Sequence, residues 1–271
     1  MHQRDHEPHE KPIEIVDEHG KKTKNPNRIT VNQHVVSQKH QEQWAGTNKL
    51  LSVVNKLTGE RLVRAPKDAF VVTRLWDQPG EAMVKSTEDW YQTQLGILKT
   101  EGAISRHSLI TEYFVMMAAR AWCAEKERPL YDSIMEPPIN VPSQAELETD
   151  ELEQVNESVR VVRGFGDSHA MARFVVSQGL NMFFMRGRER HKATVWVPLK
   201  NSDASFVLPD SVLGLLNGNI LAFPVSPSLA LVDERLLDFF AGYEKLWPDL
   251  FNTLFKQLSR RYYVEPPTLN A

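Results

Sequence analysis

A single cysteine, Cys123, stands in a chain of 271 residues, so no disulfide can form within it. That excludes a disulfide-stapled scaffold and fits a reducing compartment. No apolar run approaches the roughly 20 residues that a membrane-spanning helix needs. The N-terminal stretch is rich in His and Glu and lacks the apolar centre of a signal peptide. We therefore expect a cytoplasmic protein with no membrane partner. Excess charge of one sign is also absent: 32 Lys and Arg face 35 Asp and Glu, a net charge of −3. Such a field does not favour a dedicated nucleic-acid coat, though it allows a local basic patch. There is no Gly-x-Ser-x-Gly elbow, no Gly-x-x-x-x-Gly-Lys phosphate loop, no His-Glu-x-x-His and no internal repeat. Gly164-Phe165-Gly166-Asp167 lacks the strand, helix and third glycine of a dinucleotide site, and reads as a loop.

What is present is ordinary for a globular chain: 41% hydrophobic and 25% charged residues. Residues 1–27 are polar and poor in aliphatics, and read as a disordered tail. Its His2, His6, His9 and His19 lack the fixed geometry of a metal site. Residues 28–271 read as one α+β domain, with a candidate subdomain boundary at the proline-rich and then acidic stretch 128–150. Residues 28–37 form a β-rich run, and 49–64 a hairpin turning between Asn55 and Gly59. Helical spacing begins near Ser86, where Ser86 with Asp89 resembles a capping box, and continues through the stripe Trp90, Tyr91, Leu95 and Leu98. The run from Ser105 to Glu127 is apolar around most of its circumference, which predicts a central helix holding Cys123 as an inert core thiol. Further helices are expected at 144–160 and from Ser168 to Met185. Period-two alternation follows, with Ala193, Val195, Val197 and Leu199 as the apolar face, and more short strands run on to Val232. A final helical stretch runs from Asp233 to Tyr262, restarting at Pro248. The architecture is thus α+β: short antiparallel strand groups near the start and in residues 191–232, a helical middle, and C-terminal helices. We expect the two strand groups to form one sheet system.

Two polar residues interrupt apolar, strand-like runs: His34 in Gln33-His34-Val35-Val36-Ser37-Gln38 and Asp210 in Phe206-Val207-Leu208-Pro209-Asp210. Burying either unpaired is costly, so each needs a partner. The first run, with Trp44 ten residues after His34, resembles the His-Tyr-Val-Pro-Gln motif of the domain of unknown function 4238 family. The second resembles that family's Phe-Ile-Thr-Ser-Asp-Asn-Pro-Val motif and its later Pro-Leu-Ser-Pro turn, here Pro224-Val225-Ser226-Pro227. Val35 and Ser37 depart from the first motif, and Leu208, Pro209, Ser211 and Val212 from the second. The resemblance spans residues 28–232. It implies two further matching positions, Glu88 and Arg120, and a setting among bacterial and phage proteins in conflict with one another.

His34, Asp210, Glu88 and Arg120 are accordingly the candidate catalytic set. A carboxylate beside an imidazole orients it and raises its basicity, and an arginine holds a phosphate or a developing anion. This points to a hydrolase or nuclease-like enzyme; a divalent metal is a candidate cofactor, with ligands unknown. The structural alternative has Asp210 capping a turn, His34 donating to a carbonyl and Arg120 neutralising Glu88. Separately, Arg186, Arg188, Arg190 and Lys192 gather beside His191 at a helix-to-strand junction where Gly187 lets the backbone turn. They are the candidate nucleic-acid-binding residues, with Arg260 and Arg261 before Tyr262 and Tyr263 as a second basic element. The competing function is a non-catalytic protein that binds a protein partner or nucleic acid. The oligomeric state is not legible.

Overall fold

The computed structural model describes residues 14–16, 20, 22–24, 30, 32–73, 75–134, 168–203, 205–239 and 241–267. The four tail histidines, the 144–160 helix, the Gly164–Asp167 loop and most of the 128–150 linker lie outside the described residues. The architecture is α+β, with small antiparallel sheets around a helical centre. Strands β1 (Glu14–Val16) and β2 (Lys22–Lys24) pair antiparallel inside the stretch read as a disordered tail. Their β-branched Ile15, Val16 and Thr23 and the positive φ of Gly20, 73°, favour that hairpin.

Strand β3 (Asn32–His34) ends in His34 and pairs with β6 (Val71–Thr73). Between them lie the one-turn helix α1 (Gln38–Gln41), a 3-10 turn at Glu42–Trp44, the hairpin of β4 (Leu51–Asn55) and β5 (Arg61–Arg64), and a second 3-10 turn at Pro66–Asp68. The hairpin is where its sequence placed it, because Asn55 Oδ1 accepts the N–H groups of Leu57 and Thr58 and closes the turn. Gln33 binds β3 to the chain beyond β6. Its Oε1 accepts from the Leu75 and Trp76 amides at 2.7 and 3.1 Å, and its Nε2 donates to the Trp76 carbonyl at 2.8 Å.

Helix α2 (Gln78–Glu101) starts well before Ser86. Asp77 is the true cap: its Oδ1 accepts the Gly80 amide at 2.8 Å, with Pro79 in the first turn. Ser86 Oγ instead donates back to the Met83 carbonyl, as a mid-helix serine does. Helix α3 (His107–Ile134) is central and runs past Pro129, beyond the end expected at Glu127. Its Cys123 is buried, and burial pushes the thiol pKa up to about 12, which makes it unreactive. Helix α4 (Ser168–Arg190) packs along α3. Gly187 lies inside α4, so its role is not to turn the backbone. A Cβ there would come within 2.5 Å of Val115 Cγ1, and its absence lets the two helices approach.

After α4 come β7 (Trp196–Lys200), β8 (Leu208–Pro209), the short helix α5 (Leu213–Asn217), β9 (Ala222–Ser226) and β10 (Leu229–Asp233). Strands β7, β10 and β9 form a three-stranded sheet. The inward face at its start is the reverse of the expected one: Trp196 is 1% exposed and Val195 41%. The larger ring wins because Trp196 Nε1 finds Thr111 Oγ1 at 2.9 Å, so its N–H is not left unpaired in the core. Helices α6 (Glu234–Phe239) and α7 (Trp247–Leu258) follow, with Pro248 in the first turn of α7. The chain then forms strand β11 (Tyr262–Glu265), where the helix was expected to end.

Strand β11 joins the expected strand groups, giving the order β5-β4-β11-β8. The two groups therefore share one sheet in part. His34, on β3, sits in a different sheet from β8, which immediately precedes Asp210. Among the described residues, one buried apolar cluster runs through all of this, from Val35 and Trp44 through Phe114, Trp196 and Phe223 to Val264. Gly187→Ala should cost roughly 1–3 kcal/mol in urea unfolding, the usual penalty for forcing extra volume into packed helices. Gly96→Ala in α2, with nothing within 4 Å of the new Cβ, should be neutral or stabilising. Equal midpoints for both variants would refute the close contact.

Candidate functional site

Arg120 lies on the central helix with 1% of its surface exposed. A buried guanidinium costs several kcal/mol unless its charge is met. Glu88 of α2 meets it: Oε1 accepts from NH1 at 2.6 Å. The Trp76 ring lies beneath the guanidinium, 5.9 Å from its carbon to the ring centroid. Trp76 is itself fixed, its Nε1–H donating to Glu81 Oε2 at 2.7 Å. The Glu88 side chain is 23% exposed, so the pair reaches solvent on its α2 side.

His34 stands within electrostatic range of both charges. Burial and then the Arg120 guanidinium hold its pKa below the usual 6.5, opposed more weakly by the Pro66 carbonyl, Glu88 and the Lys67 carbonyl. The imidazole is therefore neutral at neutral pH. Among the described residues, three buried polar atoms here have no hydrogen-bond partner: His34 Nε2, Arg120 Nε and the hydroxyl of Tyr91, one turn beyond Glu88 on α2.

A chain of aromatic and hydroxyl groups adjoins the ion pair. His40 Nε2 lies 2.8 Å from the Pro224 carbonyl, and its Nδ1 lies 3.1 Å from the Tyr113 hydroxyl. A carbonyl only accepts, so Nε2 carries the proton, and a neutral ring then accepts at Nδ1 from Tyr113. Ser37, 2.9 Å away, donates in turn to the Tyr113 oxygen. Tyr113 stacks on Tyr91 at 3.7 Å, and the His40 ring lies nearly parallel to Trp44, Tyr91 and Tyr113. Burial drives the Tyr113 hydroxyl far above its ordinary pKa; Glu88 adds to this, while Ser37 and Arg120 oppose it. His40, fully buried, is pushed down to about 4.

Of the four residues expected to converge, Glu88 and Arg120 are in direct contact and His34 lies within electrostatic range of both. Asp210 has other partners. Its Oδ1 accepts the Arg260 amide at 2.7 Å, and its Oδ2 accepts the amides of Arg261 and Tyr262, both at 3.0 Å. It anchors the turn between α7 and β11. The partners seen for Asp210 are main-chain ones: a carboxylate in an apolar run needs donors, and the amides of residues 260–262 supply them.

The basic cluster divides. Arg188 faces Glu112 at 3.8 Å and Lys192 pairs with Glu189, whereas Arg190 donates to Asn219 Oδ1 at 3.1 Å. Arg186 makes no ion pair or hydrogen bond with the described residues. Among the described residues, no three His, Cys, Asp or Glu side chains gather as a metal site. No helix of the described residues is long and apolar enough to cross a membrane. Comparison with protein-family models, with curated proteins and with solved structures finds no match.

Sequence reasoning missed Ser37, His40, Tyr91 and Tyr113 as members of this region. Tyr91 and Tyr113 sit at helical core spacing, and their hydroxyls carry no local signal. His40 lies six residues beyond His34 and its partners are far along the chain, so nothing nearby marks it.

Two tests follow from these contacts. Asp210→Asn places an amide NH₂ where the carboxylate accepted main-chain N–H groups, and should cost roughly 3 kcal/mol in denaturant unfolding, the scale of charge-assisted hydrogen bonds. A loss under about 0.5 kcal/mol would show the anchor to be dispensable. The His40 pKa falls on folding, so its neutral-form contribution is full above 6.5 and is lost as pH drops towards 4. Stability should fall by roughly 2.5 kcal/mol more in the wild type than in His40→Gln between pH 7 and pH 4.5. Parallel loss in both proteins would contradict that assignment.

Proposed function

We propose that the protein is a hydrolase whose reacting centre is His34 with Arg120 and Glu88, acting on a phosphodiester or similar anionic ester. The observation that carries this reading is that His34 Nε2 and Arg120 Nε, two buried atoms with no hydrogen-bond partner among the described residues, belong to groups within electrostatic range of each other. Each such atom costs about 1–3 kcal/mol when left unmet, and a bound substrate with its attacking water would meet them. A neutral imidazole takes the proton as the water oxygen attacks, and returns it to the departing alcohol. Arg120 Nε–H donates to the oxygen that gains negative charge, and Glu88 keeps the guanidinium in place. Asp210 has no part in this chemistry. The proposal extends to the resemblance to the domain of unknown function 4238 family and to the bacterial–phage setting that resemblance implies.

The test is turnover of bis(4-nitrophenyl) phosphate and 4-nitrophenyl acetate by the full chain. His34→Gln should lower kcat/KM by about 100-fold or more. Because the unprotonated ring is the active form and its pKa lies below 6.5, the rate should rise with pH in the acid range and level off by neutrality. Turnover that survives His34→Gln unchanged, or no turnover of either ester, would sink the proposal. The competing reading, a non-catalytic binding protein, is favoured by a different surface at the end of α4.

A further inference from the structure

We infer that the C-terminal end of α4 forms one wall of a groove that binds a nucleoside phosphate, with the base on Trp122 and the phosphate on Arg186 and Arg190. This is independent of the hydrolase reading and uses none of its residues. A pocket of about 350 Å³ opens between α3, α4 and α5 and is lined by Trp122, Phe183, Arg186, Arg190 and His191, with Leu216 among the apolar contacts. Arg190 and His191 also line an adjoining pocket of about 420 Å³, where Arg235 and Phe239 stand on the far side. The lining joins a partly buried aromatic floor to a cationic rim, the combination that a base joined to a phosphate requires.

The geometry supports this assignment residue by residue. Trp122 and Phe183 pack at 5.5 Å with their planes 31° apart. Gly179 permits this arrangement: a Cβ there would come within 3.2 Å of Trp122 Cζ3. Met182, 49% exposed, adds a polarizable flank. Arg186, at the pocket wall, has no ion pair or hydrogen bond among the described residues, and Arg190 is held by Asn219 and so is oriented in advance. The acidic group of the second pocket, Asp233, is already engaged: both oxygens accept from the Arg235 guanidinium. An incoming phosphate therefore meets forked donors with no free carboxylate among the lining residues. The basic cluster seen in the sequence thus narrows. Arg188 and Lys192 have acidic partners, while Arg186 and Arg190 face a pocket.

The experiment is tryptophan fluorescence and calorimetric titration of the full chain with adenosine monophosphate, inorganic phosphate and a short oligothymidine. Adenosine monophosphate should quench fluorescence, and Trp122→Phe should remove most of the quench while calorimetry still reports binding. Arg186→Ala and Arg190→Ala alter exposed side chains, and circular dichroism checks their folds. Each should weaken binding about tenfold or more and flatten the log–log salt slope by about one. Oligothymidine binding far tighter than the mononucleotide would identify a nucleic-acid strand as the source of the phosphate, and comparable binding a free nucleotide; either supports the groove. His34→Gln should bind nucleotide as the wild type does, which separates this site from the proposed hydrolytic centre. Inorganic phosphate binding as tightly as adenosine monophosphate, no binding by either nucleotide probe, or full binding in both arginine variants would overturn the inference.

Discussion

Arg120 carries a full positive charge into a place where water cannot reach it, and Glu88 is the group that makes this tolerable. The pair joins α2 to α3 and sets the field around it. Arg120 lowers the proton affinity of His34 and also acts on Tyr113, and Glu88 opposes it at both. Burial is the larger influence on both groups, and the two charges of the 2.6 Å contact modulate it in opposite directions. A pair this buried contributes little net stability, because desolvation offsets most of the attraction. Its cost is easier to understand as the cost of a fixed cation beside a neutral imidazole.

Much of this arrangement was legible because charge in an apolar run is conspicuous. His34 stands in a stretch that must be buried and so called for a partner, whereas Arg120 and Glu88 were marked only as positions matching the family resemblance. The β4–β5 hairpin was equally legible, because Asn55 and Gly59 fix their turn by local chemistry. The start of α2 was missed although Asp77-Gln78-Pro79 carries a cap and a first-turn proline; the apolar stripe beginning near Trp90 drew attention too far along. Tyr91 and Tyr113 were read as core, and they are core. Their hydroxyls matter only through Ser37 and His40, distant residues that no periodicity reveals.

Asp210 shows the opposite limit. Polarity inside an apolar segment signals that a partner exists but not what it is. The expected partner was an imidazole; the actual ones are the main-chain amides of Arg260, Arg261 and Tyr262. Main-chain donors are present in every sequence and cannot be told apart by residue type. The same blindness hid β11, which begins at Tyr262, the residue read as the end of a helix, and became a strand because β4 and β8 both had an edge to offer.

The position of β11 between β4 and β8 has a consequence during biosynthesis. Strand β4 leaves the ribosome early with β5 on one side, and its other edge waits roughly 200 residues for Tyr262–Glu265 to arrive. Throughout that interval Leu51, Val53 and Val54 sit on a strand with unmet N–H and C=O groups, a template for pairing with another chain. The last strand thus acts as a cover as well as a structural element. A chain that stops short of it leaves an adhesive edge, so premature termination or proteolytic trimming would yield self-association rather than a smaller folded protein.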